Sequence, residues 1–175
     1  MSEADLSSGM TGDNLIKHLK LEPHPEGGWY RQTYESKEYI KGAALPGRFV
    51  EDRAISTAII YLLQQGHFSA FHRIKSDECW HFYSGGALFI HVIKEDGEYL
   101  HVTLGNNIRK REKFQYIVPA AAWFAVEPAP GTAFALTGCT VAPGFDFRDL
   151  EMGKKRSLSS LFPQQEEIIN RLCRK

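Results

Sequence analysis

What most constrains this chain is its punctuation. Between residues 28 and 151, about ten apolar and aromatic runs of about 5–9 residues follow one another at roughly ten-residue intervals. Clusters of Gly, Pro, Asn and Asp separate them, and no stretch of helical periodicity intervenes. The runs fall near GWYRQTYE, AISTAIIYLL, FSAFHRI, ECWHFY, ALFIHVI, EYLHVTLG, FQYIV, AWFAVE, AFALTGCTV and FDFRDLE. Many short strands without intervening helices imply an antiparallel sandwich or barrel and exclude a βαβ sheet. The Asp96-Gly97 pair predicts a two-residue type I′ hairpin turn. Helices are expected only at the ends. Asp13 can cap a first helix carrying Leu15, Ile16 and Leu19, stopped by Pro23 and Pro25. Pro163 can open a second, with Ile168, Ile169 and Leu172 as its apolar stripe.

At 175 residues and 43% hydrophobic, the chain can bury a core of its own as one domain over residues 11–175, after a Ser/Gly/acid-rich leader over residues 1–10 that is expected to be disordered. Lys plus Arg and Asp plus Glu balance at 21 each, which leaves no field to attract nucleic acid or an anionic membrane. Neither is expected as a partner. Cys79, Cys139 and Cys173 are widely spaced and form no C-x-x-C pair, so they read as free thiols in a reducing compartment. With no apolar leader and no run of ~18 apolar residues, a cytoplasmic protein is expected. AISTAIIYLL is apolar on both faces and therefore calls for a second layer, from this chain or a second copy.

Periodicity alone does not choose between jelly-roll, immunoglobulin-like and lipocalin-like topologies; a motif does. Gly66-x5-His72-x-Ile74-x3-Glu78-x6-Gly85 places His72 and Ile74 on one strand face and Glu78 at the start of the next strand. A paired arrangement would let Glu78 meet His72. The spacing resembles the first cupin motif, and Pro119-Ala120-Ala121-Ala122-Trp123-Phe124 resembles a degenerate second motif in which Ala121 stands for Gly and Phe124 for His. With HPEGGWYRQTYE, STAIIYLL, VPAAAWFAVE and GCTVAPGFDF, the chain resembles the cupin-like domain of unknown function 985 over about residues 12–163. This resemblance implies an all-β double-stranded β-helix, the cupin jelly roll, with short terminal helices. It also implies a homodimer similar to dTDP-sugar 3,5-epimerases and to storage cupins.

A cupin metal site uses three histidines and a carboxylate. Ile74 and Phe124 occupy two of those histidine positions, so no cofactor is expected, with a divalent metal at His72 and Glu78 as the competing reading. His81 could join such a site only through a bulge, because on a regular strand it faces away from Glu78. Without metal, the resemblance to the epimerases makes His72 a general base, tuned by a carboxylate such as Glu78, or by Asp146 in a dyad. Pro25 to Gln32 resembles the epimerase nucleotide-binding opening, but Gly27 and Gln32 replace its diphosphate-gripping Arg and its Glu, which points to a ligand smaller than a nucleotide sugar.

The expected partner is therefore a small carbohydrate-like molecule, with His72 and Glu78 as catalytic residues and Tyr30, Gln32, Trp80, Phe124 and Asp146 around the ligand. Bland readings stand beside these. His72 can be a satisfied core histidine, Trp80 and Phe124 can be core, and Asp146 can be a turn residue. His91 and His101 read as structural, and Arg109 to Lys113 as a solvated loop. Glu78 is the hardest to dismiss, because a carboxylate among Cys79, Trp80 and Phe82 costs several kcal/mol to bury unpaired. An isomerase and a non-catalytic binding or storage protein both fit this set.

Overall fold

The computed structural model describes residues 10–174, so the expected leader lies outside the described residues apart from Met10. Helix α1 (Gly12–Leu19) leads into strands β1 (Glu22–Pro23), β2 (Trp29–Glu35), β3 (Tyr39–Ile40), β4 (Arg53–Ala54), β5 (Thr57–Gln64) and β6 (Ser69–Arg73). Then follow β7 (Asp77–Gly85), β8 (Leu88–Ile93), β9 (Tyr99–Leu104), β10 (Gln115–Val118), β11 (Trp123–Pro128), β12 (Phe134–Ala142) and β13 (Glu151–Met152). Helices α2 (Lys155–Leu161) and α3 (Glu166–Leu172) close the chain. No helix among the described residues is long and apolar enough to cross a membrane.

The strands form a jelly-roll sandwich of two antiparallel sheets, ordered β1-β2-β5-β12-β7-β10 and β13-β6-β11-β8-β9, with β3 and β4 as a separate ribbon. Alternation decides what goes inside. Tyr61, Leu63, Trp80, Ile90, Phe124 and Val126 point between the sheets and form the main core. The opposite face of β5 is apolar as well, and α1 covers it: Leu62 is fully buried with Leu15 and Leu21 in a second cluster. The layer that AISTAIIYLL calls for is thus supplied, over Leu62, by this chain's own helix. Helices α2 and α3 cover the outside of the second sheet through Leu158, Ile169 and Leu172 packed on Phe71 and Ala125. His91 has the structural role expected: Tyr99 Oη lies 2.7 Å from its Nδ1, and Glu127, which also pairs with Arg171 of α3, lies 3.0 Å from its Nε2.

Several local expectations change. Thr11 caps α1, its Oγ1 accepting from Asn14 N at 3.2 Å, while Asp13 instead accepts from the Gln64 amide. The β8–β9 hairpin forms, but only Gly97 has positive φ; Lys94 N donates to Glu98 O and Gly97 N to Lys94 O. The turn is therefore a longer one closed by a left-handed glycine, not type I′. FDFRDLE is not a strand: Asp146 caps a 3-10 turn at Phe147–Asp149, and only Glu151–Met152 pairs with β6. The closing helix opens at Pro163 as expected, through a 3-10 turn (Pro163–Gln165) that runs into α3, and α2 before it is a helix the expectation did not include.

Most consequential for the site, β6 and β7 are consecutive but belong to different sheets. His72 and Glu78 do not meet across a strand pair; both line a cavity between the sheets.

The degenerate second motif keeps its backbone shape without its glycine. Ala121 has φ +65°, the left-handed region that an L side chain adopts at a cost of about 1 kcal/mol or more. Its N–H donates to Ile74 O at 2.9 Å, tying this turn to the end of β6. Ala121→Gly is therefore expected to raise unfolding stability by about 1 kcal/mol, read by urea or thermal melts; an unchanged or lowered stability contradicts the assignment of strain.

Candidate functional site

The mouth of the sandwich holds a cavity of about 110 Å³ whose floor carries Glu26, His72 and Glu78. Its polarity comes from three places in the chain. His72 arrives on β6, facing inward opposite Phe124 of β11. Glu78 arrives on β7, where Val118 and Val141 flank it on the neighbouring strands. Glu26 arrives on the tight turn between β1 and β2, which the sequence reading did not single out.

That turn depends on its two glycines. Gly27 and Gly28 have φ +122° and +70°, and a Cβ on Gly27 would stand 2.0 Å from the backbone oxygen of Phe68. The turn is stitched by His24 N to Gly28 O and Gly27 N to His24 O, both 3.0 Å, and by Ala70 N to Glu26 O at 2.8 Å. Tyr61 Oη donates to Gly27 O at 2.6 Å. The consequence is a carboxylate held inward, against β6.

His72 Nε2 lies 2.9 Å from Glu26 Oε2, and Nδ1 lies 2.7 Å from the Ala70 carbonyl oxygen. Both neighbours are acceptors, so both ring nitrogens donate and the ring is an imidazolium. Burial opposes that charge, but the Glu26 carboxylate outweighs it and His72 is held above its ordinary value. Burial likewise opposes ionisation of Glu26, and the His72 charge and hydrogen bond overcome it, holding Glu26 below the usual range. His24 is different. Its Nδ1 accepts from Glu26 N at 3.4 Å, and burial lowers its value, so the ring is neutral.

Glu78 is the group out of balance. Burial first, and then the Glu26 charge, push it up to about 7, with His72 pulling the other way. Its hydrogen-bonding neighbour is the Cys139 thiol, itself pushed well up by burial and by Glu78. Two carboxyl groups thus share a buried floor with one imidazolium, and the one without an ion pair among the described residues holds its proton up to about pH 7.

The rim is aromatic. Tyr30 and Phe147 stand around His24, at ring-centroid separations of 4.5 and 5.8 Å, and Phe145 packs on Phe147 at 5.0 Å. Phe145 and Phe147 are carried by the segment before β13, which the buried pair Arg53–Asp149, at 2.7 and 2.8 Å, anchors to β4. Of the residues expected around a ligand, Tyr30 and Gln32 line the cavity. Trp80 and Phe124 do not. Both are fully buried in the core, where Phe124 packs on His72 at 4.1 Å. Asp146 lies outside as well, accepting from Arg148 N and Nε at 2.8 and 2.9 Å, so the carboxylate that orients His72 is Glu26. A larger depression of about 560 Å³ beside Gly66 and Pro130 is more open, and its Glu127 is already paired with Arg171.

The sequence profile of the Cupin superfamily (DUF985) matches residues 13–153. This chain belongs to that family. Two solved structures are similar to this DUF985 cupin over nearly its whole length. A hypothetical protein from Leishmania major is 32% identical with a TM-score of 0.86, covering 95% of this chain and 100% of that one. A protein from Shewanella oneidensis is 35% identical with a TM-score of 0.83, covering 94% and 98%. Oxalate decarboxylase from Bacillus subtilis is 15% identical with a TM-score of 0.52, over 86% of this chain and 36% of that one, a likeness of fold. Among curated proteins, none matches.

The donor set of this cupin does not fit a three-histidine, one-carboxylate metal centre. Ile74 and Phe124 offer carbon where nitrogen is needed, and both nitrogens of His72 are taken. His81 faces the outer side of β7, between Thr140 at 3.0 Å and Gln115 at 2.8 Å. The bulge in β7 falls opposite Leu136 and Thr137, beyond His81, and leaves that side chain outside. Among the described residues, no group of three or more His, Cys, Asp or Glu is placed to hold a metal.

The two carboxyl groups should separate in stability measurements. Glu26→Gln leaves the His72 imidazolium uncompensated and is expected to cost about 3–5 kcal/mol around pH 6. Glu78 has its folded value raised above the unfolded one. The folded state therefore binds the extra proton, and stability falls as pH rises from about 4.5 toward about 7. Glu78→Gln is expected to flatten that slope and to be the more stable protein around pH 8. Denaturant titrations across pH check both; equal losses for the two variants would contradict this division of roles.

Proposed function

We propose that this DUF985 cupin binds a small carbohydrate-like molecule in the mouth of the jelly roll and that Glu78 is the group that exchanges a proton with it, without a metal. The observation that carries this reading is a buried, cavity-lining carboxyl group, without an ion pair among the described residues and held to about 7 by its surroundings. A general acid or base works best when its value lies near the working pH. His72 has no ring nitrogen left to take a proton while it is paired, so its part is to hold Glu26 and to set the field at Glu78. The cavity is smaller than the sites that enclose drug-sized ligands, which supports a single small ring over a nucleotide sugar. Tyr30 and Phe147 offer faces on which such a ring stacks.

The chemistry this arrangement supports is isomerisation or epimerisation by proton transfer next to a carbonyl, with Glu78 taking and returning the proton. The second reading, non-catalytic binding, is favoured by the closed His72–Glu26 pair, which leaves one free acid–base group where a two-base mechanism needs two.

Carbon-13 NMR of labelled glutamate is expected to show one carboxyl titrating near pH 7, absent in Glu78→Gln. Aldoses and ketoses incubated in deuterated water are expected to lose an α-proton signal with the wild type and to keep it with Glu78→Gln. A sugar that binds without exchange supports the non-catalytic reading, and a Glu78 midpoint near the ordinary 4.3 overturns both. Elemental analysis of the purified protein is expected to find no stoichiometric transition metal; one Mn, Fe, Ni or Zn per chain surviving dialysis overturns the metal-free reading.

A further inference from the structure

Charge around the cavity is one-sided. Three glutamates, Glu22, Glu26 and Glu78, line it, and among the described residues no lysine or arginine does. The one cation on its floor, His72, is spent on Glu26 at 2.9 Å. Glu78 is only 8% exposed and faces the cavity, with a weakly donating thiol as its hydrogen-bonding neighbour. A carboxylate in that position needs a positive partner, and among the described residues none is free to supply it. Above it stand Tyr30, Phe145 and Phe147, whose ring faces attract cations.

We propose that the ligand of this pocket carries a positive charge, a protonated amine on a small hydroxylated ring, with the ammonium against Glu78 and the ring against Tyr30 and Phe147. This names the ligand class for the pocket proposed above and rests on the reading of Glu78 as its free acid–base group. With the amine bound, two carboxylates face two cations and the floor is neutral. Without it, burial and the Glu26 charge favour the protonated form of Glu78. Binding is then an exchange: the ammonium enters, the Glu78 carboxyl loses its proton to solvent, and the charge in the pocket is unchanged. Phosphorylated and carboxylated ligands are excluded by the same balance, because among the described residues no free cation meets them and two or more glutamates repel them.

The groups around Glu78 are Glu26 and His24 on the β1–β2 turn, Glu22 on β1, Tyr30 on β2, Tyr61 on β5, His72 on β6, Cys79 on its own strand and Cys139 on β12. Of these, His72 is already charged and paired, His24 is held neutral by burial, and the tyrosine and Cys139 groups are pushed upward, so Glu78 is the group whose proton a bound cation displaces near neutral pH.

The test uses the full chain and ligands matched in shape but not in charge: glucosamine and galactosamine, glucose and galactose, and glucose 6-phosphate, with benzylamine as an amine lacking hydroxyls. Calorimetry around pH 6 in two buffers of different ionisation heat is expected to show an amino sugar binding with release of about one proton, and the Glu78 carbon-13 midpoint is expected to fall by about 1–3 units in its presence. Glu78→Gln is expected to abolish proton release and to remove the preference for the amine over the neutral sugar. Phe147→Ala, at a half-exposed rim position, is expected to weaken amine binding by about 2–5-fold.

Neutral sugars or glucose 6-phosphate binding as tightly as the amines, or no amine binding and no amine moving the Glu78 midpoint, overturns this proposal. If a neutral sugar then binds and exchanges a proton through Glu78, the broader function stands without it. If Glu78 titrates as an ordinary carboxylate, both fall.

Discussion

The ion pair between His72 and Glu26 is the interaction on which the pocket depends. It joins the turn before β2 to the inner face of β6, and so ties an edge of the first sheet to the second across the open end of the sandwich. Because both partners are buried, neither is tolerated alone, and the pair survives through its extra contacts: the Ala70 carbonyl on the ring and the turn that fixes the carboxylate. With that pair closed, His72 is a fixed charge and Glu78 is left as the group that can change its state. A second buried pair, Arg53–Asp149, does similar work at the rim by holding the segment that carries Phe145 and Phe147. The site is thus floored by one ion pair and framed by another.

The same arrangement puts carbon side chains at two positions of a three-histidine, one-carboxylate centre. Phe124 fills the volume of a metal-binding histidine and lies on the His72 ring, while Ile74 turns another ligand position into cavity wall. The turn at Ala121 takes the left-handed geometry that a glycine adopts freely, and its hydrogen bond to Ile74 ties it to the end of β6.

Much of the fold is legible in the residues taken in order. Nine of the ten apolar runs become strands at their expected places, since period-two alternation has one stable use, a strand with one face in a core. The tenth, FDFRDLE, fails because Asp146 caps a 3-10 turn by accepting from Arg148 N, while Asp149 is drawn to Arg53, far away in the chain. Short-range turn chemistry was partly legible: Asp96-Gly97 does mark a hairpin, but loop length is decided by the register of β8 against β9. The closing helix opens at Pro163 as proline chemistry predicts, whereas α2 before it has only Leu158 fully buried, too narrow an apolar stripe to announce itself.

For the site, motif spacing was enough to bring out His72 and Glu78, because a strand's geometry puts residues at such intervals on known faces. It was not enough to say what they touch. Whether β7 pairs with β6 or crosses to the other sheet is a matter of topology, and it is the crossing that separates Glu78 from His72 and leaves the first carboxyl unpaired. Glu26 is distant from both in the chain; the one mark it leaves there is its place before Gly27-Gly28, where two positive-φ residues in succession announce a turn forced into close contact. Alternation, turn residues and spacing are local properties that the chain carries in its order. Partnership between buried charges is set by which elements pack face to face, and only the folded sandwich decides that.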